Sequence, residues 1–165
     1  MAFENIKEDY RSLNKNEISL FRFLKTFFSN TGFQVVTLFR LANFFYRKNV
    51  KFLPTVIMRL VYHFYHCDIR YTADIGSGFV IAHAVSIVIG GKVKAGKNLS
   101  IRQGVTLGGN SGKTRQFKAA VISQPVLGDN VLLGCNTAVL GPVLVTDNCI
   151  IGAGGILLKD ACVSG

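Results

Sequence analysis

From Ile69 onward an aliphatic residue recurs at every sixth position: Ile69, Ile75, Ile81, Ile87, Val93, Leu99 and Val105. The phase then slips, resumes at Leu127 and continues through Leu133, Val139, Val145, Ile151, Leu157 and Val163. Gly or Ala often follows, as at Gly76, Ala82, Gly128, Gly134 and Gly152. Two residues earlier stand small or β-branched side chains, among them Ala73, Val85, Val131, Thr137, Val143, Gly155 and Ala161. A period of six fits neither the 3.6 of a helix nor the 2 of an alternating strand. It is the hexapeptide signature of a parallel β-helix. Each hexad supplies one short strand and one corner, and three hexads close a triangular coil. The pattern predicts nearly five coils stacked about 4.8 Å apart, with the aliphatic ladder pointing inward. Handedness does not follow from the period.

The slip between Val105 and Leu127 leaves sixteen residues more than one hexad requires. It predicts a loop extruded from about Gly108 to Gln124, reading GGNSGKTRQFKAAVISQ. Loops of this length in compact domains are usually functional.

Before the repeat, the chain predicts helices at about 17–29, 33–48 and 53–66. Breaks fall at Asn30-Thr31-Gly32 and between Asn49 and Pro54. Val35, Leu38, Leu41, Ala42 and Phe45 recur at helical steps. The expected organisation is a helical segment over 1–67 and a β-helix over 68–165. Glu4, Glu8, Asp9 and Glu17 crowd the first seventeen residues. Residues 18–67 carry no acid, but hold Arg22, Lys25, Arg40, Arg47, Lys48, Lys51 and Arg59. The apolar run Gly32–Tyr46 is too short to cross a bilayer, which takes about 20 apolar residues. Basic aromatic helices suit packing on the domain or a neighbouring subunit, or contact with a membrane surface.

Composition narrows the class. Hydrophobic residues are 49%, charged residues 17% and mean hydropathy is +0.34, which excludes intrinsic disorder. A net charge of +10 and a pI near 9.7 point to an anionic partner. Nucleic acid is disfavoured because the repeat shows no basic–aromatic face. Gly112-Lys113-Thr114 resembles the end of a P-loop, but Leu107 stands where that motif needs glycine. Cys67, Cys135, Cys149 and Cys162 form no C-x-x-C, so neither a zinc site nor a redox pair is expected and a reducing compartment is favoured.

The stretch DIRYTADIGSGFVIAHAVSIVIGG (68–91), followed by NLSIRQGVTLGG (98–109), resembles the serine O-acetyltransferase branch of the hexapeptide-repeat acyltransferases. It is also similar to relatives that acetylate sugars of bacterial polysaccharides, whose style the helical start FRLANFFYRKN (39–49) shares. The resemblance implies a left-handed parallel β-helix, a homotrimer and acetyl-CoA in the groove between neighbouring prisms; no metal is expected. The serine branch carries Arg-His-Pro at the end of the extruded loop, where this chain has Ser123-Gln124-Pro125. That departure, with the basic helices, favours a carbohydrate hydroxyl of a cell-surface or capsular polysaccharide as acceptor. Cytoplasmic action at the inner membrane face would accompany it. Free serine is the alternative acceptor, and a non-catalytic trimeric scaffold is the alternative of another class.

Acetyl transfer to a hydroxyl needs a base, an oxyanion donor and a nucleotide site. His83 is the candidate general base, because a histidine ordinarily titrates near neutrality. His63 and His66 are read as surface or packing residues. Asp68 stands fifteen residues before His83, close to one coil, and is expected to orient the imidazole. Backbone N–H groups at Gly108 and Gly109 would meet the oxyanion or the pantetheine. The resemblance adds acetyl-CoA contacts at Asn110, Cys135 and Ala153, while Lys113, Arg115 and Lys118 are candidates for its phosphates or, equally, members of a solvated loop.

Overall fold

A computed structural model describes residues 2–14, 18–50 and 52–162; the proposed inward residue Val163 and the chain end at Gly165 lie outside them. Four helices precede the repeat: α1 (Ala2–Leu13), α2 (Leu20–Ser29), α3 (Thr31–Arg47) and α4 (Phe52–Tyr65). The last three match the sequence expectation, whereas α1 was not foreseen. Asn30 serves two helices. Its N–H donates to the Thr26 carbonyl at the end of α2, and its side chain accepts from Phe33 N–H at 2.9 Å to start α3.

Fifteen short strands follow in the described residues, β1 to β15 in chain order, and all but two build a left-handed parallel β-helix. The first face stacks β1 (Asp68–Ile69), β4 (Val88–Ile89), β7 (Thr106–Gly108), β12 (Ala138–Leu140) and β15 (Ile156–Leu157). The second stacks β2 (Asp74–Ile75), β5 (Lys94–Ala95), β10 (Val126–Leu127) and β13 (Leu144–Val145). The third stacks β3 (Val80–Ile81), β6 (Ser100–Ile101), β11 (Leu132–Leu133) and β14 (Ile150–Ile151). The remaining pair, β8 (Arg115–Phe117) and β9 (Ala120–Ile122), makes an antiparallel hairpin within the extruded loop.

The strand register corrects the expected ladder at four positions. Ile69 pairs with Ile89, Ile75 with Ala95, Ile81 with Ile101, and Ile89 with Leu107. Ile87, Val93, Leu99 and Val105 therefore stand two residues before a strand's inward position, in the track of Cys67, Ala73 and Phe79. They are fully buried all the same, because side chains two apart on an extended segment share a face. The first coil thus takes twenty residues and the later coils eighteen. The extruded segment shortens accordingly to fourteen. Inward burial also weakens along the stack: Ile151 and Leu157, in the last coil, are only partly covered.

Corner geometry explains part of the polar pattern. Asn98, Asn130 and Asn148 stack at one corner with φ of 58°, 57° and 58°. Each Nδ2 donates to the next Oδ1, at 2.8 and 2.9 Å. Asparagine tolerates this left-handed conformation and satisfies itself along the column. Asn130→Ala should cost about 1–3 kcal/mol in urea unfolding, since it loses both bonds and keeps a strained φ. Asn130→Gly should cost less, because glycine accepts the φ.

The helices dock directly on the prism. A Cβ at Gly32 would come within 1.8 Å of the Ile81 carbonyl oxygen, so α3 lies on β3 at a spacing only glycine allows. Beneath α3, Arg40 donates to both carboxylate oxygens of buried Asp9, at 2.8 and 3.0 Å, and to the carbonyls of Ile75 and Gly76. Phe79 N–H donates to the same carboxylate at 2.8 Å. Burial pushes the Asp9 carboxyl up, while the bonds from Arg40 and Phe79 pull it down.

Cys149 and Cys162 are joined in a disulfide, against the expectation of no redox pair; Cys67 and Cys135 are thiols. The thirteen-residue spacing resembled no motif, and only coil stacking brings the two together. Thiol titration of the denatured oxidised protein should find two groups. After reduction it should find all four cysteines. Four without reductant would show the bond absent.

Candidate active site

His83 owes its position to the long first coil. Ala82 N–H still donates to the Ile101 carbonyl at 3.0 Å, and the Val85 carbonyl accepts from Gly104 N–H at 3.1 Å. In the next coil the equivalent groups are Arg102 N–H, bonded to the Leu133 carbonyl, and the Gln103 carbonyl, bonded to Asn136 N–H. Arg102 and Gln103 are neighbours, whereas His83 and Ala84 intervene between Ala82 and Val85. These two residues belong to no coil. Val85 N–H closes the excursion on the His83 carbonyl at 3.0 Å, and Ser86 leaves it with φ of 54°. The imidazole is carried into solvent at the corner between the third and first faces.

Asp68 opens the first face one coil away. Its N–H donates to the Ile87 carbonyl, and it stands in register with Val88, just past the excursion. Among the described residues no side-chain hydrogen bond joins Asp68 to His83. The Asp68 carboxylate instead borders a cleft of about 310 Å³ between α4 and β1, lined by Thr55, Met58, Arg59, Tyr62, Ile69, Arg70 and Tyr71 as well. Sequence reasoning did not find this cleft, because its two walls are remote in the pattern until α4 packs on β1.

The candidate acetyl-CoA residues separate into two groups along the first face. Gly108 closes β7 and its carbonyl accepts from Gly141 N–H, while Gly109 and Asn110 lead into the extruded segment. Asn110 and Lys113 line an open groove of about 690 Å³ with Arg115, Leu140, Pro142, Leu158, Lys159 and Asp160. Its basic side chains suit anionic phosphates. Arg115 is held there by an ion pair of 3.0 Å to Asp160, which also accepts Leu144 N–H. Cys135 and Ala153 lie at the opposite edge of the same face. They stack at one corner with Gln103, linked by Asn136 N–H to the Gln103 carbonyl and Gly154 N–H to the Cys135 carbonyl. Cys135 is partly covered and Ala153 is exposed.

The end of the hairpin carries the departure at Ser123-Gln124. Gln124 folds over Gly90, where a Cβ would come within 2.5 Å of its Oε1, and that oxygen accepts Lys92 N–H at 2.7 Å. The residue in place of the branch's histidine is thus engaged in closing a corner. His63 and His66 are exposed on α4 and just after it. Among the described residues no cluster of three His, Cys, Asp or Glu is placed to hold a metal.

A stacked triangular prism with an exposed histidine at one corner and a cationic groove at the far edge of the first face defines the class of hexapeptide-repeat acyltransferases. Residues 124–158 match the family of bacterial transferase hexapeptide, six repeats. The chain is 31% identical over 160 residues to the serine acetyltransferase of Bacillus pumilus, covering 97% of this chain and 71% of that protein. It is 31% identical over 157 residues to serine acetyltransferase 3, mitochondrial, of Arabidopsis thaliana, of which it spans 39%. The solved serine acetyltransferase of Neisseria gonorrhoeae superposes with a TM-score of 0.82 at 25% identity, over 97% of this chain and 60% of that one. The chain belongs to the serine acetyltransferase family of acyltransferases. This overturns the expectation of a carbohydrate acceptor, because the relatives matched along nearly the whole chain, helices included, are serine acetyltransferases. The helical start, similar in style to the polysaccharide branch, lies inside those matches.

Proposed function

We propose that the protein transfers the acetyl group of acetyl-CoA to the hydroxyl of L-serine, giving O-acetylserine and CoA. His83 takes the hydroxyl proton as the oxygen attacks the thioester carbonyl. The C–S bond breaks, and the CoA thiolate takes up a proton. Asp68 supports the imidazolium once the side chains draw together on substrate binding, which tightens contacts that are loose in a free site. Backbone N–H groups at Gly108 and Gly109 stabilise the oxyanion. Asn110, Lys113, Cys135 and Ala153 border the path of acetyl-CoA. The observation that carries this reading is the two-residue excursion, which sets a histidine outside an otherwise regular stack. The matched Neisseria enzyme was also solved in complex with serine, at a TM-score of 0.81.

Thiol release from acetyl-CoA should depend on L-serine. No release with serine, and release with another hydroxyl compound, would reject the acceptor. We assign the assembled form as a homotrimer in the cytoplasm, where acetyl-CoA is made. Light scattering at micromolar concentration should give three times the chain mass of 18.0 kDa, and a monomer would refute it.

Contact with the inner membrane face is a finer part of this reading. No described helix is long and apolar enough to cross a membrane. Leu20, Phe21, Leu24 and Phe28 nevertheless form an exposed apolar stripe on α2, flanked by Arg22 and Lys25. Such a surface should co-sediment with anionic vesicles and release in salt. Absence of binding at low salt would remove it.

A further inference from the structure

The cleft between α4 and β1 has the chemistry of a carboxylate site. Its ionisable lining includes two cations, Arg59 and Arg70, against one acid, Asp68. Neither arginine belongs to an ion pair among the described residues, although Arg11, Arg40, Arg47 and Arg115 all do. Arg70 stands two residues from Asp68 on β1 and its neighbouring loop, so the two side chains leave the prism on the same outward side. Arg59 reaches the cleft from the exposed side of α4, beside buried Met58. Tyr62 and Tyr71 add hydroxyl groups, and the Thr55 hydroxyl completes the polar lining.

An acceptor with a carboxylate requires a cation that this chain lacks at the expected place. Ser123 stands where the resembling family has arginine, and Gln124 is occupied with Lys92 N–H. Lys113 and Arg115 lie in the other groove, with Arg115 already paired to Asp160. We propose that Arg59 and Arg70 bind the carboxylate of the acceptor amino acid in the α4–β1 cleft. This rests on serine being the acceptor. Guanidinium groups suit the task because their planar donors meet both oxygens of a carboxylate at once. The site shares Asp68 with the proposed support of the His83 imidazolium, which would bring the acceptor hydroxyl toward His83. Acceptor recognition has moved, on this account, from the end of the extruded loop to the junction of helix and prism.

The test compares wild type with Arg59→Gln and Arg70→Gln in steady-state acetyl transfer and in equilibrium binding of L-serine by calorimetry. Each variant should raise the KM for serine about ten- to hundredfold, the usual effect of losing a hydrogen bond to a charged group. The KM for acetyl-CoA and the circular dichroism spectrum should stay as in wild type. Wild type should use serinamide, which lacks the carboxylate, as poorly as the variants use serine, and the variants should discriminate little between the two. Unchanged serine KM and affinity in both variants would overturn the proposal. If Arg70→Gln fails to fold, Arg59→Gln, exposed on its helix, decides alone. Serine binding that both substitutions abolish, in a wild type that does not acetylate serine, would keep the carboxylate site and reject the reaction. No serine binding in wild type would reject both.

Discussion

His83→Ala should lower turnover of acetyl-CoA with L-serine by about 10²–10⁴, the range expected for loss of a general base, with the coil stack intact. The side chain is exposed and makes no hydrogen bond to another described residue, so its removal costs the fold little. A sharper variant deletes His83 and Ala84 together. Ala82 and Val85 already hold the register of Ile101 and Gly104, so the shortened corner would copy the next coil, where Arg102 and Gln103 are adjacent. The deletion should give a folded protein with near-native circular dichroism and no acetyl transfer. Wild-type-like turnover in His83→Ala would remove this residue from the mechanism. Unfolding of the deletion variant would show that the excursion serves the stack and not the chemistry.

The largest loss of stability is expected at Asp9. Its carboxylate is fully buried, and Arg40, at 4% exposure, spends its donors on that carboxylate and on two carbonyls of the prism. Asp9→Ala leaves a buried guanidinium without its counter-charge and Phe79 N–H without its acceptor. Breaking such a pair from one side costs about 3–5 kcal/mol, against a total stability of about 5–15 kcal/mol for ordinary domains. Urea unfolding should register the loss as a lower midpoint. The double change Asp9→Leu with Arg40→Met should recover part of it, because apolar replacement removes both desolvation costs. A single variant within 1 kcal/mol of wild type, about the worth of one ordinary hydrogen bond, would mean that the pair does not anchor α1 to the prism.

The same pair shows what sequence reasoning passed over. Ile6, Tyr10 and Leu13 recur at steps of four and three in the first helix, a legible stripe hidden under attention to the acids around it. Asp9 stood out in no way from the other three acids of the first seventeen residues, because nothing local marks a carboxylate whose partner lies thirty-one residues away. The carbohydrate acceptor was inferred from the letters Ser123-Gln124, and the relatives matched along nearly the whole chain overturn it. The missing Arg-His pair is visible as letters, but the cleft with Arg59 and Arg70 exists only once α4 has packed on β1.

The period of six determined the β-helix, its start at Asp68 and the existence of an extruded segment, because every coil repeats the same demand for inward aliphatic side chains. The same regularity concealed the two-residue excursion at His83. Both the strand position and the position two before it point inward and accept aliphatic residues, so an insertion of two exchanges the tracks without breaking the period. Only the pairing of Ile69 with Ile89 and Ile81 with Ile101 exposes the extra length. Register is a relation between strands, set by backbone hydrogen bonds across coils, and it is therefore decided in the tertiary structure.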